Sequence, residues 1–313
     1  MLVTGANGFV GGALTEELIA RGFDVTAATR RPANIAKARP VVIGEIGPAT
    51  DWRDALDGVQ TVLHLAGVAH SGIADDAAVA ARYEAVNVQG SIALARQAAA
   101  AGVKRLVFMS SIKVNGEQAA PDAPYRESDA PAPQDIYGRS KRDAEAALRA
   151  IGRETGLEIV VLRSPLVHGP GARGNLANLL ALCDSPWPLP FGALTGNRRS
   201  LVARANLIDA LALAASHPAA AGEIFLLRDG DDLSTAALVR TLRRALGRPE
   251  RLLPVPAALL VGAARLVGKG ALADRLTGSL CVDDGKLRRL LGWRPVVSAE
   301  AGLAQMAAAF RRA

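Results

Sequence analysis

Residues that build metal sites and disulfide frameworks are scarce in this sequence. Its 313 residues include two cysteines, Cys183 and Cys281, and four histidines. Neither a CxxC nor an HExxH spacing occurs. A disulfide scaffold and a structural zinc site are therefore not expected, and we expect no metal in the functional site.

Aromatic residues and long apolar runs are also scarce. Aromatic side chains make up 4% of the chain, which leaves few surfaces for base stacking despite a net charge of +7. We therefore expect an anionic small-molecule substrate and no nucleic acid partner. No uncharged apolar run reaches the length of about 18 residues that suggests a membrane span, so stable membrane insertion is not expected. The N-terminus lacks a secretory signal pattern, and a cytoplasmic location is expected.

Short β-branched runs alternate with alanine-rich helical runs in the N-terminal half. Strands are predicted at 1–4, 24–28, 41–43, 61–66, 106–110 and 158–163. Helices are predicted at 11–21, 82–101 and 136–155. This alternation predicts an α/β fold with a Rossmann-type doubly wound parallel sheet.

The pattern changes after residue 163. Residues 164–200 are rich in proline and glycine, which predicts loops, and 206–216 reads as a helix before a returning strand at 223–227. The chain beyond 230 is mostly helical by its pattern. We predict a dinucleotide-binding domain of residues 1–164 plus 203–228. A smaller, mostly helical substrate lobe would contain residues 165–202 plus 229–313.

The first predicted strand leads into a glycine-rich turn and a helix. Gly5 permits a tight turn, Gly8 lets backbone N–H groups approach a pyrophosphate, and Gly11 lets the helix pack closely. An anion is favoured at the helix N-terminus by free N–H groups and the helix dipole. The turn is thus predicted to bind a dinucleotide, together with the intervening Asn7, Phe9 and Val10.

The end of the second strand bears on the choice between NAD and NADP. An acidic residue there would accept the ribose 2′-hydroxyl of NAD, but the sequence has Arg30 instead. Because arginine can pair with a 2′-phosphate, NADP is slightly favoured over NAD. Stacking on adenine and a solvated charge are alternatives for Arg30. After the third strand, Glu45 and Ile46 are expected near the adenine, with an ordinary surface carboxylate as the alternative for Glu45.

A tyrosine and a lysine four residues apart open the helix predicted at 136–155. This spacing puts Tyr137 and Lys141 on one helix face. A lysine ammonium is expected to lower the phenol pKa from its ordinary value of about 10, so that Tyr137 can carry a proton. Lys141 could also hold the nicotinamide ribose. Ser111 closes the fifth strand, where its hydroxyl can hydrogen-bond the reacting oxygen.

Taken together, these features resemble the extended short-chain dehydrogenase/reductase superfamily, in its NAD-dependent epimerase/dehydratase branch. The likeness covers most of the chain and includes TGANGFVG (4–11), HLAG (64–67), SSIKVNGE (110–117), YGRSK (137–141), LRSPLVHGPG (162–171) and LGWRP (291–295). The resemblance implies a homodimer. It also implies that several further residues line the cofactor, namely Leu65, Ala66, Gly67, Asn87, Ser164 and Val167.

The resemblance further implies a nucleotide sugar as substrate, with UDP as the nucleotide. Lys113 follows the active-site serine, and Arg199 is expected to pair with the diphosphate, where a planar guanidinium suits bidentate contact. Arg275 is a second diphosphate candidate. The stretches that resemble the family's UDP-binding segments contain Asn175, Leu176 and Phe191.

The same resemblance narrows the reaction. Sugar 4,6-dehydratases of the family carry an Asp-Glu pair after the active-site Ser/Thr, and Ile112-Lys113 stands there instead. The expected activity is NAD(P)-dependent oxidoreduction at C4 of a UDP-sugar, as a 4-epimerase or a 4-keto-sugar reductase in surface-polysaccharide biosynthesis. The alternatives are a reductase of a non-sugar carbonyl and a non-catalytic NAD(P)-binding regulator, which would usually lack Tyr137 or Lys141.

Overall fold

A parallel sheet forms the centre of the chain, in agreement with the sequence prediction. The structure is a computed structural model that describes residues 1–68, 76–266, 268 and 270–312. The strands, in chain order, are β1 (Leu2–Thr4), β2 (Thr26–Thr29), β3 (Arg39–Val42), β4 (Thr61–His64), β5 (Arg105–Ser111), β6 (Glu158–Ser164), β7 (Leu166–His168), β8 (Leu201–Ala203) and β9 (Ile224–Leu226). Within the described residues, seven strands form one sheet in the order β3-β2-β1-β4-β5-β6-β9.

Every neighbouring pair in that sheet is parallel. The α-helices, in chain order, are α1 (Gly11–Ala20), α2 (Arg53–Leu56), α3 (Ala77–Tyr83), α4 (Gly90–Ala100), α5 (Ile136–Thr155), α6 (Asn175–Cys183), α7 (Arg204–Ser216), α8 (Thr235–Ala245), α9 (Ala257–Leu266), α10 (Gly270–Thr277), α11 (Gly285–Leu291) and α12 (Ala299–Phe310). The fold is therefore the predicted Rossmann-type arrangement. Its carboxyl strand ends share one edge, where ligands bind in such sheets.

Helix α5 has the bounds that the sequence predicts. The Asp135 side chain accepts a hydrogen bond from the N–H of Gly138 and caps the first turn. Gly156 ends the helix with a φ of +80°, a left-handed conformation that glycine adopts without a Cβ penalty. Because both ends are fixed by local chemistry, Tyr137 is held in the first turn of the helix.

The helix predicted at 82–101 has a more complex form. It begins earlier, with α3, and continues through a π-helical segment, Glu84–Gln89, before α4. Asn87 lies within that wider segment and is buried. Such π-helical turns are rare and often occur at functional sites.

Residues 164–200 contain more regular structure than the sequence predicts. Strands β7 and β8 pair in parallel as a separate two-stranded sheet, and α6 lies between them in the chain. The many prolines of this region indicated loops, but Asn175–Cys183 contains no proline and buries Leu176, Leu180 and Cys183. Tertiary burial therefore decided the structure of this segment.

Hydrophobic residues collect in clusters on the sheet and in the C-terminal part. The C-terminal cluster includes Leu180, Leu238 and Leu303. In contrast, Leu287 and Trp293 belong to the cluster that contains β1 and α1 side chains. The segment around α11 thus packs on the dinucleotide-binding part of the chain. The domain division at 164, 203 and 228 stays a prediction.

The apolar stretch after residue 252 forms the helices α9 and α10, which pack against each other. Leu259 and Leu266 of α9 are exposed. Among the described residues, none of the helices is both long and apolar enough to cross a bilayer.

A buried ion pair joins α5 to the centre of the sheet. The Arg163 guanidinium on β6 contacts the Glu145 carboxylate through two nitrogens, and both side chains are at most 5% exposed. The Ser110 hydroxyl donates to the same carboxylate, and Arg163 also donates to Asn115 Oδ1 at 2.9 Å. This network fixes α5, and hence Tyr137, against the carboxyl ends of β5 and β6.

Replacing Arg163 with leucine should strongly destabilise the protein, because Glu145 would stay buried without its cation. We expect a loss of about 3–5 kcal/mol in the free energy of unfolding, measured by urea denaturation. The matched control is Arg53→Leu, which removes a largely exposed pair with Asp51 and should cost far less. Equal losses in the two variants would contradict this role for the buried pair.

Candidate active site

The glycine turn after β1 has the geometry of a phosphate-binding loop. Gly5 has a φ of +68°, and its carbonyl accepts a hydrogen bond from the N–H of Gly8 at 2.8 Å. A Cβ at Gly11 would collide with the carbonyl oxygen of Gly5. No side chain caps the N-terminus of α1. The turn therefore brings backbone close to an anion site, and its residues fit a dinucleotide pyrophosphate.

An arginine missed by the sequence analysis supports this loop. Arg204, at the start of α7, donates to the carbonyl oxygen of Phe9 at 3.2 Å and lies over its ring. Burial lowers the pKa of this guanidinium. No local motif marks Arg204, because it lies far from the glycine turn in the sequence. The contact joins the phosphate-binding loop to the part of the chain that follows β8.

Arg30 and Glu45, both expected near the adenosine, contact each other. An Arg30 Nη1 lies 3.4 Å from Glu45 Oε1, and both side chains are more than 60% exposed. Ile46 is buried, and its side chain fills the space beside Gly90. The structure therefore places a cation and a carboxylate together beyond β2 and β3, with Ile46 packed beneath them.

The structure brings Ser111 and Tyr137 together at the carboxyl end of β5. The Ser111 side chain hydrogen-bonds the Tyr137 phenol. Burial raises the pKa of Tyr137 to about 12; the Ser111 hydrogen bond opposes this rise, and Tyr83 and Asp135 add to it. Tyr83 was not predicted, although its ring lies 5.8 Å from that of Tyr137.

The expected lowering of the Tyr137 pKa by Lys141 is wrong for this arrangement. The Lys141 ammonium donates to the carbonyl oxygen of Met109 at 3.0 Å and lies 4.6 Å from the centre of the Phe108 ring. Burial lowers the pKa of Lys141 to about 8, opposed by the nearby Glu145 carboxylate. Desolvation thus dominates both groups, which spacing along a helix could not reveal.

The loop after β4 is clamped to α5 through Asn87. The side chain of Asn87 accepts from the N–H of Val68 at 2.8 Å and donates to its carbonyl at 3.1 Å. It also donates to the Ser140 hydroxyl at 3.0 Å. A Cβ at Gly67 would lie 2.9 Å from Asn87 Oδ1 and 3.7 Å from Lys141 Nζ. Gly67, Asn87 and Lys141 therefore meet at one point, as expected for a cofactor face.

A chain of buried hydrogen bonds fixes the same loop from β4. The Thr4 hydroxyl oxygen accepts from the N–H groups of Leu65 and Ala66, so its own proton is directed to His64 Nδ1, 2.8 Å away. The Ser91 hydroxyl donates to the Asn87 carbonyl and therefore accepts from His64 Nε2 at 2.9 Å. His64 is thus a neutral imidazole with its proton on Nε2.

Other expected cofactor residues lie on neighbouring strands. Ser164, at the end of β6, pairs with Ser111 across the ladder and is buried. Val167 lies on β7 and is half-buried.

Two arginines expected near a diphosphate lie close together. Arg199 donates to the backbone carbonyl oxygen of Arg275 at 2.8 Å, and the Arg275 charge helps to lower the pKa of the half-buried Arg199, after the larger effect of burial. Within the described part of the chain, neither guanidinium lies within 4.0 Å of a carboxylate. Two adjacent cations with no carboxylate in direct contact are suited to a doubly charged anion.

The residues expected near uracil are held by the C-terminal hydrophobic cluster. Leu176 and Phe191 are both buried in it. Asn175 is exposed and begins α6, whose N-terminus is not capped by a side chain. Backbone N–H groups in the first helical turn have no intrahelical acceptor, so this end of α6 can bind a carbonyl or phosphate oxygen.

Lys113 lies in a turn of 3₁₀ helix directly after Ser111 and is already paired. Its ammonium donates to Glu117 Oε1 at 2.9 Å and to the Asp135 carboxylate. Asp135 also caps α5, so the group connects the turn after β5 to the helix that carries Tyr137. Glu117 and Asp135 were missed, since nothing in their spacing indicates this cluster.

These features define an NAD-binding enzyme, and sequence comparison identifies its family. The chain matches the model of the NAD dependent epimerase/dehydratase family over residues 1–227. It belongs to this family, in the extended short-chain dehydrogenase/reductase superfamily. Among the described residues, no group of three or more His, Cys, Asp or Glu side chains could hold a metal ion.

Similar proteins carry more specific names. The chain is 40% identical to a UDP-glucose 4-epimerase of Vibrio cholerae, over 100% of this chain and 96% of that protein. It is 31% identical to an N-acetyl-alpha-D-glucosaminyl-diphospho-ditrans,octacis-undecaprenol 4-epimerase of Escherichia coli O157:H7, over 84% of this chain and 77% of that protein. The structure of MoeE5 in complex with UDP-glucose and NAD is 26% identical, covers 99% and 98% of the two chains, and has a TM-score of 0.78.

The state of His64 predicts how stability depends on pH. Burial lowers the pKa of His64 from 6.5 to about 3, helped by the Lys141 charge. Between pH 6.5 and about 3, the unfolded chain binds a proton on His64 and the folded chain does not. The stabilisation that the neutral, buried His64 gives to the folded state is therefore complete above pH 6.5 and is lost as the pH falls towards 3. The slope reaches about 1.4 kcal/mol per pH unit.

We therefore expect the free energy of unfolding to fall less steeply below pH 6.5 in His64→Asn than in the wild type. Urea denaturation at several pH values measures this slope, with His217→Asn as the matched control. Identical slopes for the wild type and His64→Asn would show that His64 takes up a proton in the folded state as readily as in the unfolded chain.

Proposed function

We propose that this enzyme is a UDP-hexose 4-epimerase, which oxidises C4 of the sugar and reduces it again from the opposite face. The observation that carries the proposal is the convergence of Ser111, Tyr137 and Lys141 beside a phosphate-binding glycine turn. The names of its relatives support it, since two of them are 4-epimerases of sugars linked to a diphosphate.

The proposed proton carrier is Tyr137. A bound oxidised nicotinamide supplies the hydride acceptor for C4. Tyr137 would take the proton of the C4 hydroxyl. It would return the proton after the 4-keto sugar has rotated in the site and presents its opposite face to the nicotinamide. Ser111, which already bonds the phenol, would hold the same oxygen and favour the ionised form of Tyr137. Lys141 would hold the nicotinamide ribose beside Gly67 and Asn87.

The diphosphate of the substrate is assigned to Arg199 and Arg275. Their proximity is the feature that supports this assignment. Uracil would lie near Asn175, Leu176 and Phe191, and the hexose between the arginines and Tyr137, against Lys113. A non-sugar carbonyl substrate would leave the two adjacent guanidiniums without a function, and a non-catalytic regulator would have no need of Tyr137.

We also propose that the enzyme is a homodimer, is located in the cytoplasm and acts in surface-polysaccharide synthesis. The family resemblance puts the dimer contact on the helices predicted at 82–101 and 136–155. In the structure, α4 and α5 of these segments lie side by side and are linked by an exposed pair between Arg96 and Glu154 at 3.5 Å. A 4-keto-sugar reductase would use the same residues but would consume reduced cofactor in each turnover.

The central test is Tyr137→Phe, which removes the proton carrier. We expect UDP-galactose to UDP-glucose turnover to fall by about 10²-fold to 10⁴-fold. Because the pKa of Tyr137 is raised, wild-type turnover should increase with pH through the alkaline range, and the residual activity of the variant should not.

Calorimetry of NAD binding checks that the variant keeps its cofactor site. Tyr125→Phe is the matched control. The Tyr125 hydroxyl donates to the Gln118 carbonyl oxygen, and its removal should leave turnover unchanged. Near-normal turnover in Tyr137→Phe would refute the proposed chemistry. Stoichiometric NADPH consumption with a 4-keto sugar, without epimerisation, would replace the epimerase by the reductase.

For the cofactor, we propose that Arg30 lets the site accept NADP as well as NAD. The pair with Glu45 supports a weaker preference than Arg30 alone would give, because the carboxylate repels a 2′-phosphate. Arg30→Ala should weaken NADP binding by about tenfold and leave NAD binding unchanged. Glu45→Gln should strengthen NADP binding, and Arg31→Ala serves as the control. Isothermal titration measures both affinities, and an unchanged NADP to NAD ratio in Arg30→Ala would remove Arg30 from this role.

A further inference from the structure

A cluster of three charged side chains connects the start of the helix that carries Tyr137 with the segment that runs beside Arg199. Lys113 donates to Glu117 at 2.9 Å and to the Asp135 carboxylate. The side chains of Lys113, Glu117 and Asp135 are 19%, 23% and 16% exposed, so water screens them only in part. Two carboxylates share one ammonium, and the cluster therefore carries one excess negative charge.

The backbone fixes both ends of this cluster. Asp135 caps the helix that carries Tyr137, and Lys113 follows Ser111 by two residues. At the other end, Leu280 forms β-bridges with both Ala119 and Arg199, which holds the segment after Glu117 beside that arginine. The charges act at both ends as well: Asp135 adds to the rise that burial causes in the pKa of Tyr137, and Glu117 opposes the fall that burial causes in the pKa of Arg199.

The cluster lies along the path that the proposed function gives to the hexose, between Arg199 and Tyr137. In a UDP-hexose the diphosphate is attached to C1, and C4 lies on the far side of the ring. A hexose with its diphosphate on Arg199 and its C4 at Tyr137 must therefore pass the cluster. The C6 group is attached to C5, next to C4, and so lies towards the Tyr137 end.

We propose that the excess negative charge of the cluster of Lys113, Glu117 and Asp135 selects a sugar with a neutral C6 hydroxymethyl group and rejects a hexuronic acid. This inference rests on the proposed function. A hexuronate would bring a third carboxylate against the two that already share the Lys113 ammonium, and like charges there are unfavourable. A neutral hydroxymethyl group can instead donate its hydroxyl proton to a carboxylate oxygen of the cluster. Lys113 acts as a positioning residue for both carboxylates.

The test compares kcat/KM for UDP-glucose and UDP-glucuronate in the wild type and in Glu117→Gln. The substitution keeps the shape and removes the excess charge. We expect the wild type to prefer UDP-glucose, and the ratio to shift towards UDP-glucuronate by about tenfold or more in the variant. Lys113→Gln should shift the ratio in the opposite direction. Glu300→Gln, on the exposed surface of α12, is the matched control and should change neither rate.

A second measurement needs no variant. Raising the salt concentration should improve inhibition by UDP-glucuronate relative to that by UDP-glucose, because screening weakens the repulsion at C6 and affects the shared diphosphate equally. A wild-type preference for UDP-glucuronate, or turnover of UDP-glucose with an unchanged ratio in Glu117→Gln, would overturn the role of the cluster. Absence of turnover with either sugar would instead refute the proposed function, and the inference with it.

Discussion

The site depends on the burial of the Lys141 ammonium and on the contacts that compensate for its lost hydration. The ammonium lies between the end of β5, the Phe108 ring and the loop at Gly67, and the carboxylate of Glu145 on the same helix favours its charge. A buried cation must have acceptors close by, so the surrounding backbone has little freedom to move. The same charge helps to keep His64 neutral.

Two hydrogen-bond networks of different character surround this cation. On the proposed cofactor side, neutral hydrogen bonds run from the loop at Leu65 through Thr4, His64 and Ser91 to Asn87. On the proposed substrate side, charged groups predominate, and Lys113 pairs with both carboxylates there. Neutral and fully satisfied groups suit a rigid cofactor face, whereas a charged cluster can discriminate between substrates by sign.

Sequence patterns predicted the parts of the structure that local chemistry determines. The bounds of α5 follow from Asp135 and Gly156, and the glycine turn follows from backbone geometry, so both could be read in advance. The π-helical segment could not, because its apolar periodicity resembles that of an α-helix. Helix α6 was missed because its stability comes from burial of Leu176 and Leu180 among distant residues.

The electrostatics of the site were the hardest part to predict. Spacing placed Tyr137 and Lys141 together, but it gave no measure of desolvation, and the direction of the Tyr137 pKa shift was therefore wrong. The partners of Lys113 lie four and twenty-two residues away in the sequence, and no motif connects them.

The π-helical turn at Glu84–Gln89 places an extra residue between α3 and α4. A π-helical turn holds about one residue more than an α-helical turn, so the flanking helices α3 and α4 keep nearly the relative orientation that a continuous α-helix with one residue fewer would give them. Tyr83 and Asn87 both contact α5 from this part of the chain. Deleting one residue from Glu84–Gln89 would therefore leave the course of the helix nearly unchanged, and the loss would fall on the local contacts of Asn87.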